Sequence, residues 1–296
     1  MLPPTLPTTP AMELTLDEAA QGVLRRHHVQ VLGAGRPLLF CNGFNCTQQV
    51  WHYLAPMLAG HYQLIFFDQM GVGKSEYATY DPPRYATLAG YAQDVVAICQ
   101  ALQLCEVVLV GHSAGATVAM LAAIQAPDRI TTTVLLNMSP YFLNEPGYYG
   151  GFERADLLQV LAEMHANYVQ WASTFATMLV GQSAAPVLSH ELVTYATQVH
   201  PALAAQVVEQ AFLGDFRPLL PQVRVPTLLL QCHDDPAVPE EASAYLLAHL
   251  PCATLVTLAA SGHAPHLTNP AEVAAAINAF LAGGSAVQPM RSPEAA

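Results

Sequence analysis

Apolar residues along the chain fall into short continuous runs, separated by segments with helical spacing. Runs without polar alternation are typical of strands covered on both faces, as in a parallel sheet between helices. The pattern predicts seven strands, at His28–Leu32, Pro37–Cys41, Gln63–Phe67, Glu106–Gly111, Thr132–Asn137, Thr227–Cys232 and Thr254–Leu258. It predicts helices near 48–59, 87–103, 114–126, 240–249 and 270–282. This order predicts an α/β doubly wound architecture with right-handed crossovers.

The alternation of strand and helix stops between Pro140 and Arg217. Apolar spacing there predicts four helices, near 154–166, 168–180, 188–198 and 202–213. Helices inserted between two strands of one sheet are expected to cover its carboxyl edge, where active sites of open α/β folds lie. We therefore predict a helical lid at 139–217 on a core formed by 21–138 and 218–283, with flexible tails at 1–20 and 284–296.

Composition excludes several classes of partner. The chain is 53% hydrophobic and 11% charged, and its 22 acidic and 10 basic residues give a formal charge of −12. Nucleic acids and anionic membrane surfaces need a basic footprint, so neither is expected as a partner. The first ten residues lack the basic region of a signal peptide. We expect a cytoplasmic protein whose six cysteines are buried free thiols, although Cys41 and Cys46 could meet across a loop.

The most informative motif is Gly-His-Ser-Ala-Gly at 111–115, directly after a predicted strand and before an alanine-rich helical segment. This Gly-x-Ser-x-Gly pattern is typical of a sharp strand-to-helix turn that exposes a nucleophilic serine. The alternative is an ordinary glycine-rich junction. The flanking elements favour Ser113 as a nucleophile at a helix N-terminus.

A serine nucleophile needs a base, usually a histidine that a carboxylate orients. Asp235 and His263 follow the last two predicted strands, and the order Ser…Asp…His fits α/β hydrolases. Asp234 is the alternative carboxylate and His266 the alternative base. Either aspartate could instead cap the helix near 240. No histidine spacing indicates a metal site, and no cofactor is expected.

An oxyanion site requires two backbone donors. We predict the amide of Ala114, next to the nucleophile, and the amide of Phe44, in the loop after an early strand. The alternative for Phe44 is a core aromatic in a plain turn. Two other glycine patterns fail as nucleotide sites: Gly73-Lys74-Ser75 lacks the earlier glycine of a phosphate loop, and Gly33-x-Gly35 lacks the third glycine of a dinucleotide fingerprint.

The predicted lid is rich in aromatic residues, which helix packing alone could explain. They are Tyr141, Phe142, Tyr148, Tyr149, Phe152, Tyr168, Trp171, Phe175 and Phe212. A lid over a serine nucleophile must also present side chains inward, and an apolar inner face implies a small, uncharged, hydrophobic ligand.

Several segments together resemble one group of proteins. They are Gly43-Phe44, Tyr91-Ala92-Gln93-Asp94-Val95, Ser139 to Asn144, Tyr148 to Glu153, Asn167-Tyr168-x-x-Trp171 and Gly262-His263-x-Pro265-His266. From about His27 to Leu281 the chain resembles the α/β-hydrolase superfamily, and within it the group of the bacterial stress-response regulator RsbQ and the plant strigolactone and karrikin receptors.

That resemblance implies a mostly parallel eight-stranded sheet with an inserted four-helix lid in two V-shaped layers. It implies triad roles for Ser113, Asp235 and His263, and oxyanion roles for Phe44 and Ala114. The residues expected to line the substrate pocket are Phe44, His112, Phe142, Phe152, Trp171, Phe175 and Phe212.

The chain also departs from the group. Cys41-Asn42 stands where the plant receptors have a histidine before the glycine, and Asn45 and Cys46 differ from the plant loop, so the plant ligands do not carry over. The proline-rich N-terminal extension has no counterpart.

Three functions remain open at this stage. The first is a serine hydrolase of small apolar esters or lactones. The second is a ligand sensor with slow turnover, whose lid engages a regulatory phosphatase or another signalling protein, as in sigma-factor regulation. The third is a haloperoxidase-like or carbon–carbon bond hydrolase. Haloalkane dehalogenases and epoxide hydrolases are disfavoured because they carry a carboxylate where this chain has Ser113.

Overall fold

A seven-stranded sheet forms the centre of the computed structural model, which describes residue 6, residues 16–181 and residues 186–283. The strands are β1 (Gln30–Leu32), β2 (Arg36–Cys41), β3 (Tyr62–Phe66), β4 (Val107–His112), β5 (Ile130–Leu136), β6 (Thr227–Asp234) and β7 (Ala253–Ser261). They lie in the order β1-β3-β2-β4-β5-β6-β7, and only β1 runs antiparallel to its neighbour. The predicted doubly wound α/β class is confirmed.

The helices of the described residues follow the predicted alternation. They are α1 (Glu18–Arg26), α2 (Ala55–Leu58), α3 (Leu88–Ala101), α4 (Ala114–Gln125), α5 (Arg154–Ala166), α6 (Tyr168–Val180), α7 (Pro186–Ala196), α8 (Pro201–Leu213), α9 (Glu240–His249), α10 (Pro265–Thr268) and α11 (Pro270–Leu281). The helix predicted at 48–59 is divided into a 3₁₀ turn at Gln48–Trp51 and the short α2. Pro56 lies in the first turn of α2, where a missing backbone N–H costs least.

The strands are apolar throughout because both faces of the sheet are buried. In β4, Val107 and Leu109 pack into one core layer with α3 and α4. Val108 and Val110 pack into the opposite layer with α11. Since successive side chains of a strand point to opposite faces, a continuous apolar run supplies both layers at once.

Two expectations at the N-terminal side are wrong. The sheet of the described residues has seven strands and not eight, because only β1 and the helix α1 precede β2. The core also begins before residue 21, because α1 starts at Glu18 with the Asp17 carboxylate accepting from the Ala20 amide at 2.7 Å. The tails predicted at 1–20 and 284–296 otherwise lie mostly outside the described residues.

All six cysteines are free. Four are buried, but Cys105 and Cys252 are exposed, so the expectation of uniformly buried thiols is wrong for these two. Cys105 lies in the loop before β4, and Cys252 lies in the turn before β7. Burial raises the pKa of the Cys46 thiol to about 12, so it stays protonated at neutral pH.

Helices α5–α8 form the helical insertion between β5 and β6. One of its attachments to the core is buried: Glu191 on α7 lies 3.2 Å from Nδ1 of His52 in the core. Within α7, the Glu191 carboxylate also accepts from the Tyr195 hydroxyl. The arrangement of the insertion as two V-shaped layers stays a prediction.

Candidate active site

Ser113 lies between the end of β4 and the start of α4, with φ at +53° and ψ at −123°. Small residues are required on both sides of it. A Cβ at Gly115 would overlap the carbonyl oxygens of Cys41 and Asn42, and one at Gly111 would come within 2.5 Å of the Gly115 carbonyl oxygen. The strained turn therefore depends on both glycines of the motif, and it holds the serine at a helix N-terminus.

Asp235 and His263 form a hydrogen-bonded pair at the same edge of the sheet. His263 Nδ1 lies 2.8 Å from one Asp235 carboxylate oxygen and 3.0 Å from the other. The carboxylate also accepts from the backbone amides of Ala237 at 2.8 Å and Val238 at 3.1 Å. Because a carboxylate only accepts, Nδ1 carries the ring proton and Nε2 is left with a free lone pair.

The alternative carboxylate, Asp234, is exposed, and it is the last residue of β6. Its backbone carbonyl accepts from the Gly262 amide at 2.7 Å, where a bulge shifts the register of β6 against β7. The bulge ends regular pairing one residue before Asp235. This places Asp235, and not Asp234, beside His263.

Ser113 and His263 line one cavity between the sheet edge and the helical insertion. In the described chain the His263 ring bonds to Asp235, and no hydrogen bond joins it to the Ser113 hydroxyl. Nucleophile–base hydrogen bonds in resting enzymes are often long and shorten only when substrate binds. The arrangement can therefore supply a nucleophile, a base and an orienting carboxylate to one bound molecule.

The Phe44 and Ala114 amides meet the requirement for free donors. Ala114 is the first residue of α4, and Phe44 lies in a turn that the Cys46 amide closes on the Gly43 carbonyl at 3.2 Å. Neither the Phe44 nor the Ala114 amide donates to another protein group in the described ranges. Unpaired backbone donors beside a nucleophile are suited to a developing oxyanion.

Two further histidines stand behind this cavity. His112 donates from Nε2 to the His263 carbonyl at 2.6 Å, and so supports the loop that carries the base. Burial lowers the pKa of His112 well below its usual value and that of His266 to about 3. Both rings are therefore neutral at physiological pH. His266 packs against Trp51 and His112, and neither of its ring nitrogens has a hydrogen-bond partner in the described part of the chain, so it is the weaker candidate for the base.

The cavity that contains Ser113 is small, about 30 Å³, and mostly apolar. We call it the inner chamber. Of the residues predicted to line the pocket, it includes Phe44, His112, Phe142, Phe175 and Phe212. It also contains residues that were not predicted to line the pocket, namely Cys46, Thr117, Ser139, Leu179, Leu192, Ala211, Ala237 and Ala264.

Phe152 and Trp171 line a second cavity of about 480 Å³ within the helical insertion. We call it the outer chamber. The two chambers share Phe142, Phe175, Phe212 and Ala237 along their common boundary. Phe152 and Trp171, which are also predicted to line the substrate pocket, line the outer chamber and not the inner one.

The described part of the chain contains no helix long and apolar enough to cross a bilayer. It also contains no cluster of three metal-ligating side chains.

Together, the sheet topology, the strained serine turn and the histidine–carboxylate pair define a hydrolase. Residues 36–270 match the alpha/beta hydrolase fold family, to which the chain belongs.

Its relatives include esterases and receptors. The chain is 38% identical to karrikin insensitive 2 receptor CA of Petunia hybrida over 246 residues, which cover 82% of this chain and 91% of the receptor. It is 34% identical to strigolactone esterase D14 of Arabidopsis thaliana over 254 residues, covering 85% and 95%. The structure of olei00960, a hydrolase from Oleispira antarctica, superposes with a TM-score of 0.86 at 32% identity, covering 89% of this chain and 97% of that one. The protein is an esterase-like hydrolase.

Proposed function

We propose that the protein hydrolyses small apolar esters or lactones through Ser113, His263 and Asp235. The observation that carries the proposal is that a serine at φ +53° shares one apolar chamber with a histidine already paired to a buried carboxylate. In a molecule without substrate, this combination has the geometry of a nucleophile and its base.

The proton balance of the reaction follows from that pairing. Ser113 Oγ attacks the carbonyl carbon while His263 Nε2 takes the serine proton. The tetrahedral oxyanion accepts from the Phe44 and Ala114 amides. As it collapses, the imidazolium gives the proton to the leaving oxygen, and Asp235 stabilises the imidazolium throughout. A water that His263 deprotonates then releases the acid and restores Ser113.

The chambers favour uncharged substrates. The described lining of the inner chamber contains no Lys, Arg, Asp or Glu, and Glu163 is the one charged residue in the described lining of the outer chamber. An anionic substrate would lose its hydration without gaining a cationic partner. We therefore infer that carboxylates and phosphates are excluded.

The sizes of the chambers suggest how a substrate is divided between them. One water-sized probe needs about 10–15 Å³, so 30 Å³ accommodates a group of only a few heavy atoms. The outer chamber accommodates a much larger apolar group. A short acyl group would fill the inner chamber, and the alcohol part would pass the Phe142, Phe175 and Phe212 boundary into the insertion.

Two ester series test this assignment. With p-nitrophenyl esters, kcat/KM is expected to fall at least tenfold from acetate to octanoate, because the longer acyl chain overfills the inner chamber. Between phenyl acetate and 1-naphthyl acetate, which differ only in the alcohol part, it should change less than about threefold. A higher kcat/KM for octanoate than for acetate would contradict the assignment.

A second function, small-molecule sensing, is favoured by the surface of the insertion. Leu158, Val169 and Val187 on α5, α6 and α7 are 50–60% exposed, and one of the relatives is a receptor. In this case the ligand would be hydrolysed slowly, and its presence in the chambers would be signalled to a protein partner such as a regulatory phosphatase. A long-lived acyl-enzyme, seen as a burst followed by a much slower steady state, would favour sensing over metabolism.

A further inference from the structure

The turn that presents the Phe44 amide contains a strained residue. Asn45, the third residue of the Gly43–Cys46 turn, has φ at +54°. Asn tolerates this left-handed conformation better than most residues, but it still needs tertiary support. The direction of the neighbouring Phe44 amide depends on the conformation of this turn.

The support comes from the helical insertion. Asn45 Nδ2 donates to the Tyr168 hydroxyl at 2.7 Å, and that hydroxyl donates to the Ala196 carbonyl at 2.9 Å, at the end of α7. Asn45 is 7% exposed, so its side chain is largely shielded from competing water. Burial raises the pKa of the Tyr168 phenol, which therefore keeps its only proton for Ala196. The bond from Asn45 uses a lone pair of the same oxygen.

The same helix also contacts the Phe44 ring. Trp171, one turn after Tyr168 on α6, meets Phe44 edge to face with ring centroids 6.0 Å apart. It stacks on Phe175 at 4.7 Å, and these two rings line the outer chamber. The insertion therefore holds the turn through one polar contact and one aromatic contact, and α6 also forms part of the ligand chamber.

We propose that Tyr168 is a positioning residue for the oxyanion site. Through Asn45 it fixes the turn so that the Phe44 amide points at the developing oxyanion only when α6 is seated on the core. The direction of the Phe44 amide then depends on how α6 packs against the core. This inference rests on the proposed esterase function.

Steady-state kinetics of Tyr168→Phe with p-nitrophenyl acetate test the role. Removing an oxyanion donor altogether costs 10²–10³ in kcat, and a misdirected donor should cost about tenfold. We expect kcat to fall by about tenfold with KM changed less than twofold, because the substrate chambers keep their linings. Tyr149→Phe is the matched control, since Tyr149 is 51% exposed and lies outside both chambers, and it should retain wild-type kcat.

A double-mutant cycle with Asn45→Gly separates positioning from a general structural effect. Glycine accepts positive φ without strain, so this variant can still adopt the turn but loses the bond to Tyr168 that fixes it. If the two residues act through one contact, Asn45→Gly, Tyr168→Phe and the double variant should show the same fall in kcat.

Three results would overturn the positioning role. The first is a double variant whose fall in kcat is the product of the falls in the two single variants. The second is an unchanged kcat in Tyr168→Phe with only a lower melting temperature. The third is a Tyr168→Phe variant in which KM changes and kcat does not. A folded wild-type protein without esterase activity would overturn the proposed function and this inference together. An active wild type with unaltered Tyr168→Phe would overturn this inference alone.

Discussion

Replacing Ser113 with alanine is expected to lower kcat/KM for p-nitrophenyl acetate by at least 10³-fold. The variant loses the nucleophile, while the Phe44 and Ala114 amides and the His263–Asp235 pair remain. Alanine also suits the site sterically, since it removes only one oxygen from the residue that precedes the helix α4. The measurement is initial-rate hydrolysis by purified wild-type and variant protein, with circular dichroism to show that both are folded.

Ser139→Ala is the matched control for this loss. Ser139 lines the same chamber, but its hydroxyl already donates to the Tyr141 carbonyl at 2.8 Å. We expect Ser139→Ala to change kcat/KM by less than tenfold. If Ser113→Ala kept more than a tenth of the wild-type rate, the attacking group would have to be something other than this serine.

The second large effect is expected for Asp235→Asn, with a fall in kcat of about 10³–10⁴. The amide removes the charge that stabilises the imidazolium, and it can present an N–H to His263 Nδ1, which favours the wrong ring tautomer. The Ala237 and Val238 amides that now bond the carboxylate can still find an oxygen, so the loop should keep its shape. The assay is kcat at saturating p-nitrophenyl acetate.

Asp234→Asn provides a sharp comparison because it makes the same chemical change one residue earlier. The Asp234 side chain is exposed, and only its backbone carbonyl bonds the His263 loop, through Gly262. Its kcat should stay within about threefold of wild type, as for surface substitutions that break no contact. Equal losses in both variants would show that the reaction needs the negative charge of the loop and not an oriented carboxylate.

Much of the fold could be predicted because each strand is covered on both faces. Continuous apolar runs at β2, β3, β4 and β6 leave little ambiguity about where strands lie. The helix α1 was missed since none of its residues is buried, so it has no apolar run to mark it. The eight-strand expectation failed for a different reason: it rested on resemblance, while the residues themselves indicated seven.

Within the site, the residues in sharp turns after strands could be predicted from the sequence. Ser113, Asp235 and His263 each follow a strand of the parallel sheet, and strands of such a sheet end at one edge. The contacts between segments that are distant in the sequence could not be predicted. The Asn45–Tyr168 bond joins residues 123 positions apart, and the bond from His112 to the His263 carbonyl spans 151.

The division into two chambers also required the structure. The aromatic residues of the insertion are of the same chemical type, and their spacing along the sequence does not show which of them reach the edge of the sheet. Phe142 and Phe175 border both chambers, whereas Trp171 borders only the outer of the two. The positions of Phe175 and Trp171 depend on how α6 packs over the core, which is a tertiary property.

Covalent capture tests the central claim most directly. A fluorophosphonate ester phosphonylates a serine only when a neighbouring base activates it and an oxyanion site accepts the phosphoryl oxygen. Peptide mass spectrometry of the treated wild-type protein should place a single adduct on Ser113, with none in Ser113→Ala and much slower labelling in Asp235→Asn. Labelling at Ser139 or Cys46, or no adduct in a folded protein that still hydrolyses p-nitrophenyl acetate, would contradict the account.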